Sequence, residues 1–540
     1  MTDHKQPLYI LPEDTQRMLG RDAQRNNILA AKLVADTIKT TLGPKGMDKM
    51  LVDAAGDITI TNDGVTILEK MEIEHPAAKM MVEISKTQEE EVGDGTTTAV
   101  MLAGKLLENA EKLLDMKIHP SVITKGYALA AEKAQEFLMA SSIAVNPEKE
   151  SDQLLLKQIV YTAVTGKAAE SVKEVFADII VKAVQQVFEN GAGDPRAITI
   201  VKNKSGGIES TRLVSGIVVD KARVSMDMPL QIRSAKIALV SESLEIKNIS
   251  DAKISIHSPD QLQQFLDRDE IVLREMVDCI KKSGANVIFC QKGIDDILQY
   301  YLAQEQIYAC RRVTKSDLEN LSRATHAKIV STIHELSEKE LGIAGLVEEI
   351  KHGEEAFTYV QECKNPRALT IIIHGGSEHV MDEMERAIKD GIGDVAAVLK
   401  DKKIVVGAGA IEIELSKNLR AFSQTLAGRE QLAVQEFANA LEFIPLTLAE
   451  NAGLDPIDVL TELKSHHDRG EHNFGINIFT EKVENVLEKG IIEPMRIKKQ
   501  AISSASEVAI MILRIDDVLA SKTLSNGNTS TTGKGYEGME

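Results

Sequence analysis

Gly93-Asp-Gly-Thr-Thr-Thr98 opens onto Ala99–Leu114, a long run rich in Ala, Leu and Glu. Two glycines let a backbone turn tightly and present its N–H groups, and a helix start adds the positive end of its dipole. Together these make an anion pocket suited to phosphate, and Thr96, Thr97 and Thr98 add hydroxyl donors. Asp94 would repel a phosphate by itself, so its presence implies an intervening cation, with Mg²⁺ the best fit. A plainer reading stays open: Asp, Gly and Thr also favour the first positions of any helix.

Outward from this loop, the first 150 residues read as helices separated by glycine turns. Asn26–Thr41 carries apolar residues at helical spacing and stops at Leu42-Gly-Pro-Lys-Gly46, a turn offering further N–H groups and one cation. Lys49–Val52 and Asp57–Thr61 alternate around Asp53-Ala-Ala-Gly56 and predict a hairpin. Asp63, in Asn62-Asp-Gly64, reads as a hairpin-type turn residue. Gly407-Ala-Gly-Ala410 follows the apolar run Ile404–Val406. Asp390 lies four residues after Arg386 on a predicted helix, which reads as a solvated ion pair.

The chain has 540 residues, 43% of them apolar, enough for several cored domains. Its 82 acidic against 63 basic residues give a net charge of −19, which argues against nucleic-acid or anionic-membrane partners, since both repel it. No run approaches the roughly 20 apolar residues of a membrane span. The N-terminal stretch lacks the apolar centre of a signal peptide, so a cytoplasmic location is expected. Cys279, Cys290, Cys310 and Cys363 form no CxxC pair and read as reduced thiols. At 4% aromatics and no Trp, a base-stacking surface is not expected.

The middle third alternates: strand-like Ile198–Lys202, Ile217–Asp220 and Lys236–Val240, then Asn286–Cys290, helix Ile294–Gln304, Tyr308–Arg311, helix Ser316–Ala324 and Lys328–Ser331, the pattern of an α/β domain. Ser258-Pro-Asp-Gln261 matches a capping box. The helix after it carries Leu262, Phe265, Leu266, Leu273, Met276, Val277 and Ile280 on one face, and Gly284 closes it. At roughly twenty residues it would span about 30 Å. From Glu378 the pattern is helical again, and 526–540 is rich in Gly, Ser and Thr, as a disordered tail is. Two suggestive motifs do not hold. Gly527-Asn-Thr-Ser-Thr-Thr-Gly-Lys534 is one residue too long for a Walker A loop and lacks its strand and helix. His466, His467, Asp468 and His472 lack HExxH spacing and are not read as a metal site.

Read together, Thr41-Leu-Gly-Pro-Lys-Gly-Met-Asp-Lys-Met50, Ile60-Thr-Asn-Asp-Gly-Val-Thr-Ile-Leu68 and Glu91-Val-Gly-Asp-Gly-Thr-Thr97 resemble the three signatures of group II chaperonins, the archaeal thermosome and eukaryotic cytosolic chaperonin family. The resemblance runs from Leu11 to Ala520 and has an archaeal pattern. It implies a multidomain α+β and α/β fold. A discontinuous, mostly helical equatorial domain would take 1–149 and 404–525, and a hinge-like intermediate domain 150–217 and 367–403. An inserted α/β apical domain would take 218–366, with a helical lid protrusion at about 243–278. The implied function is an ATP-dependent chaperone: a double ring of like subunits, eight or nine to a ring, that encloses unfolded proteins. ATP hydrolysis would close its built-in lid, and no separate co-chaperonin is expected.

The resemblance also implies roles at matching positions. Leu42, Gly43 and Pro44 would line an ATP pocket. Asp94 would bind Mg²⁺, while Gly95, Thr96, Thr97 and Thr98 hold phosphate oxygens. Asp63 and Asp390 would position and activate the attacking water. Lys167 matches a nucleotide-sensing lysine near the γ-phosphate, Glu493 a nucleoside contact, and Gly409 the loop over ribose and base. Asp390 would reach the site only when the intermediate domain swings onto it. Four departures stand out: Ala408 where the family loop carries glycine, Gly391 and Gly393 inside the helix after Asp390, Asn477 for an Asp, and a tail without the Gly-Gly-Met ending. An added methyl at 408 is expected to crowd the nucleotide or shift the backbone, and each helical glycine to cost about 1 kcal/mol. These departures leave an alternative, a diverged nucleotide-binding scaffold subunit of a mixed ring with weak hydrolysis. A small-molecule kinase or ligase is the other; it would be a monomer or small oligomer. For clients, Ile294, Ile297, Leu298, Tyr301 and Leu302 form an apolar stripe that reads mainly as core, and Leu262, Phe265 and Leu266 sit near the expected lid tip.

Overall fold

The computed structural model describes residues 15–147, 149–167, 170–188, 193–204, 206–246, 259–352 and 355–521. Ser258, the 527–534 run and the 526–540 tail lie outside them, as do the side chains of Leu262, Phe265 and Leu266.

The two chain ends build one helical core. Helices Gly20–Lys39, Pro76–Glu91, Thr96–Asp115 and Pro120–Ala140 pack with Ala410–Ser423, Glu430–Leu441 and Met495–Leu513. Thr96–Asp115 lies at the centre because Ala, Val and Leu recur on nearly every face, including buried Ala99, Val100, Ala103, Leu106, Leu107 and Ala110. Strand Thr15–Leu19 pairs antiparallel with Asp517–Ser521, which fastens one end of the chain to the other. The expected hairpin forms from Lys49–Val52 and Ile58–Thr61. Asp63 differs from its expectation: it is the N-cap of helix Gly64–Lys70, not a hairpin turn residue. Caps and turns draw on the same Asx chemistry, so sequence did not separate them.

A second core joins helices Glu150–Val164, Lys173–Val187 and Glu378–Asp401 to a three-stranded sheet of Ile198–Asn203, Leu369–His374 and Arg212–Val214. It continues onto one face of a seven-stranded sheet. Half of that sheet is parallel, as the alternation predicted: Gln231–Val240 pairs with Val287–Cys290 and Ile329–Val330, and Tyr308–Cys310 with Val287–Cys290. The other half is antiparallel: Gly342–His352, Glu355–Cys363 and Gly216–Val219. The long hairpin was not announced by apolar runs, because Glu348, Glu349 and Lys351 interrupt its first strand.

A third core covers the opposite face. Helix Pro259–Ser283 lays Leu273, Val277 and Ile280 against Ile294, Leu298 and Leu302, and Gly284 follows at φ +82°. The expected apolar stripe is therefore core at those three positions, while Ile297 is 50% exposed. All four cysteines are free thiols. Burial pushes Cys290 up to about 11, Cys310 to about 12 and Cys363 to about 11. Among the described residues, no helix is long and apolar enough to cross a membrane.

Candidate functional site

Where the first two cores meet, every site residue singled out above lines one cavity of about 650 Å³, a size that suits a nucleotide. At one end, helix Thr96–Asp115 starts from Gly95, which is left-handed at φ +80° and supplies no side-chain cap. The N–H groups of the first turn are thus left for a ligand. No other residue fits at 95: a Cβ there would lie 2.6 Å from Cγ2 of Ile497 and 3.1 Å from Nε2 of Gln88. Asp94 Oδ1 accepts the Gly95 N–H at 2.7 Å. Fully buried Gln88 donates to the carbonyls of Asp94, at 2.8 Å, and Ile497, at 3.3 Å, and so pins the loop to the C-terminal helix.

Carboxylates crowd this end. Asp63 Oδ2 accepts from the Thr66 N–H at 2.9 Å and the Thr66 hydroxyl at 2.6 Å, which fixes its orientation. Asp390, on helix Glu378–Asp401, pairs with Lys167 rather than with Arg386, which pairs with Glu383 at 3.8 Å. Withdrawal from water pushes Asp390 up to about 7; Asp94 and Asp63 act the same way and Lys167 opposes them. Burial acts to lower the Lys167 ammonium, but Asp390 and Asp94 outweigh it and hold the charge firmly in place. Two further acids share the cavity. Glu89 is pushed up to about 8 by burial and then by Asp390, Asp63 and Asp94. Asp394, 3% exposed, is raised well above the carboxylate range by burial and by Asp94 and Asp390, and among the described residues its Oδ1 has no hydrogen-bond partner. An orphaned buried carboxylate oxygen among mutually repelling acids, with threonine hydroxyls alongside, is a hard-oxygen donor set that fits a divalent cation such as Mg²⁺.

The two glycines of the Asp390 helix have a packing reason. A Cβ at Gly393 would meet the Val92 carbonyl oxygen at 2.7 Å and Gly93 Cα at 3.4 Å, so only glycine lets this helix rest on the loop that carries Asp94. A Cβ at Gly391 would meet Ile180 Cδ1 at 3.0 Å. The helix runs unbroken through both.

At the other end, helix Ala410–Ser423 starts from Gly409, again at φ +80° and again without a side-chain cap. Ala408 before it is also left-handed, at φ +55°, so its methyl does impose backbone strain. Its carbonyl accepts the Ile476 N–H at 3.0 Å. Asn477 donates to Glu484 at 2.5 Å, a carboxylate an Asp there would oppose, and its Oδ1 accepts the Phe479 N–H at 3.0 Å. Glu493 is held by Lys498 at 2.7 Å, which also grips Glu412 at 2.8 Å. Burial raises Glu493 and Lys498 opposes it.

Sequence reasoning missed Glu89, Gln88 and Asp394. Glu89 hides in the run Glu89-Glu-Glu91, which resembles a solvated face. Asp394 did leave a signal, since it follows Asp390 by four residues and shares its helix face.

A sequence model of the TCP-1/cpn60 chaperonin family matches residues 34–523. The thermosome subunit of Methanopyrus kandleri is 55% identical over 521 residues, 96% of this chain and 95% of that protein. Thermosome subunit beta of Archaeoglobus fulgidus is 54% identical, covering 96% of each chain. Thermosome subunit beta of Methanothermobacter thermautotrophicus is 53% identical over 541 residues, 100% of this chain and 98% of that one. With the cavity and its glycine-started helices, these matches decide the assignment: the chain belongs to the TCP-1/cpn60 chaperonin family, on its group II, archaeal branch.

Proposed function

We propose that this subunit hydrolyses ATP in the cavity between the first two cores and that turnover drives closure of a ring-shaped folding chamber. The observation that carries the reading is the meeting of Asp63 and Asp390, from opposite halves of the chain, beside the uncapped helix start at Gly95. Phosphoryl transfer needs charge neutralisation and an aligned water more than covalent chemistry. Asp63, held by Thr66, and Asp390, held by Lys167, would orient that water and accept its proton. Thr96, Thr97 and Thr98 and the backbone N–H groups after Gly95 would hold phosphate oxygens. Lys167 would place positive charge at the terminal phosphate. Asp94, with Asp394 nearby, would hold Mg²⁺, which when bound neutralises phosphate charge. The Ala408–Gly409 loop, Asn477 and Glu493 would enclose the nucleoside.

In this reading the first core, built from both chain ends, is the equatorial domain. Helix Glu378–Asp401 with its three-stranded sheet forms the intermediate domain, and the seven-stranded sheet with helix Pro259–Ser283 the apical one. Because Asp390 belongs to the intermediate element, hydrolysis is coupled to that element's position. Ring assembly has its own support. Among the described residues the hairpin Lys49–Thr61 is a two-stranded sheet of its own that leaves Met50, Val52, Ile58 and Ile60 exposed, a surface and edge that call for a partner strand. Clients would be unfolded or partly folded proteins, the lid built in, and the location cytoplasmic.

The test is the purified chain imaged by electron microscopy with and without MgATP, alongside its ATPase rate. Double rings that close with ATP and hydrolyse it are expected. A solitary chain, or one indifferent to adenine nucleotides, would overturn the reading. Rings that bind ATP without turnover would favour the scaffold alternative.

A further inference from the structure

Outside the cavity, three side chains converge that the sequence keeps apart. Glu414 lies on helix Ala410–Ser423, His467 near the end of helix Pro456–Asp468, and His472 just before strand Phe474–Asn477. His467 Nδ1 and His472 Nδ1 each lie 2.9 Å from the same oxygen, Glu414 Oε2, and one ligand atom from each residue falls within 4.8 Å of the others. The second oxygen, Oε1, accepts from Asn418 at 3.2 Å, which turns Oε2 toward the two rings.

The hydrogen bonds of His467 sharpen this. The ring is fully buried, and its Nε2 lies 2.9 Å from the Phe474 carbonyl oxygen. A carbonyl only accepts, so Nε2 carries the hydrogen. With Nε2 committed as the donor, an Nδ1 that carries no hydrogen turns its lone pair toward a carboxylate oxygen 2.9 Å away. Two acceptors do not face each other at that distance without a cation between them, either a proton or a metal ion. A second imidazole nitrogen on the same oxygen tips the choice. Imidazole and carboxylate are the donor set of a zinc-class ion, and a backbone carbonyl on the far nitrogen is the outer partner that fixes a ligating ring's tautomer. Charged neighbours leave the position free: Lys417 is engaged on the His467 carbonyl at 2.5 Å, and Glu471 on His466 at 2.5 Å.

We propose that Glu414, His467 and His472 form a binding site for a zinc-class divalent metal ion, with water in the fourth position. His472 is 56% exposed and gives the ion a way in. Ligand atoms about 2.0–2.2 Å from such an ion sit a few tenths of an ångström farther apart than these do, so only a small opening is needed. The ion would tie the helix that starts at Gly409 to the strand whose Ile476 N–H holds Ala408, bracing the nucleoside end of the cavity from behind. The sequence could not show this, because Glu414 lies far upstream of both histidines.

The test uses the full-length chain, freed of metal with a chelator and titrated with Zn²⁺ against a chromophoric competitor. One equivalent bound at about micromolar affinity or tighter is expected. His472→Ala, an exposed change that leaves the fold intact, should weaken that equivalent at least about tenfold. Co²⁺ in place of Zn²⁺ should give the visible bands of a four-coordinate nitrogen–oxygen site with no thiolate charge-transfer band, and His472→Ala should abolish them. Unchanged Zn²⁺ affinity in His472→Ala, or no binding at all, overturns the proposal and leaves a buried imidazolium paired with Glu414. A thiolate band unaffected by His472→Ala also overturns it, since that would place the ion on Cys279, 3.8 Å from His334.

Discussion

The cavity has two ends built on one backbone device. At each, a helix starts from a glycine at φ +80° with no side-chain cap, Gly95 in one case and Gly409 in the other. Their surroundings differ sharply. Around Gly95 stand Asp63, Glu89, Asp94, Asp390 and Asp394 with Lys167 among them, and burial, followed by repulsion from neighbouring acids, raises Glu89, Asp390 and Asp394. Around Gly409 one cation, Lys498, is shared between two acids, Glu412 and Glu493, and the rest is backbone and apolar contact. An uncapped helix start is thus a generic cradle, and its neighbours decide its use. Charge at the Gly95 end should govern rate; shape at the Gly409 end should govern affinity and stability.

The largest expected effect tests that division directly. Asp390→Ala removes a group from the Gly95 end alone, so kcat for ATP should fall about 100-fold or more while nucleotide affinity changes by less than about threefold. Glu493→Gln at the other end should do the reverse, raising KM several-fold with kcat nearly intact. Steady-state kinetics with a direct binding measurement checks both. A loss in Asp390→Ala that appears only in KM would erase the distinction between the ends.

Next in size is a packing change. Gly393→Ala sets a methyl 2.7 Å from the Val92 carbonyl, which belongs to a fixed loop, so the helix must move. A cost of about 1–3 kcal/mol is expected in chemical denaturation, together with reduced kcat as Asp390 is displaced. Gly391→Ala meets the end of the Ile180 side chain at 3.0 Å, which can yield. It should be near neutral, because its clash is offset by about 1 kcal/mol of helix propensity. Equal costs for the two would mean that the loop contact at Gly393 does not matter.

These cases show what could be read without coordinates. The Gly95 end was legible as a candidate because its loop is contiguous: Asp94, Gly95 and the three threonines suggest an anion site within six residues, beside the plainer reading of a helix start. Asp63 and Asp390 were not legible locally, since one looks like a turn residue and the other like half of a surface ion pair, and only a family resemblance singled them out. Gly391 and Gly393 looked like defects because helix propensity is a property of a segment, whereas the reason for Gly393 lies in a loop some 300 residues away and that for Gly391 in the helix carrying Ile180. The antiparallel half of the large sheet was hidden by the charged residues Glu348, Glu349 and Lys351 within its first strand. What sequence withheld was in each case a contact between distant segments.

The third effect is a pH dependence belonging to the charged end. Asp390 at about 7 and Glu89 at about 8 are raised carboxyls, so between about pH 4 and pH 8 the folded chain binds more protons than the unfolded one. Stability should therefore fall as pH rises through that window. Glu89→Gln should flatten the upper part of the slope, and added Mg²⁺ should restore stability at pH 8. Denaturation of nucleotide-free chain across pH 5–8 checks this; stability that rises with pH would show that these acids are already compensated.

The smallest effect belongs to the Gly409 end and separates strain from crowding there. Ala408 occupies the left-handed region at φ +55°, where a Cβ costs about 1–2 kcal/mol and glycine costs nothing. Glycine also loosens the unfolded chain by about 0.4–1 kcal/mol, which offsets part of the gain. Ala408→Gly should therefore stabilise by about 0.5–1 kcal/mol in denaturation, with kcat unchanged. The Ile476 N–H already holds the Ala408 carbonyl in place, so the loop should keep its path and KM should shift by less than about threefold. A much larger drop in KM would mean that the methyl itself occupies nucleotide space, and that shape at this end is set by one carbon atom rather than by the backbone it strains.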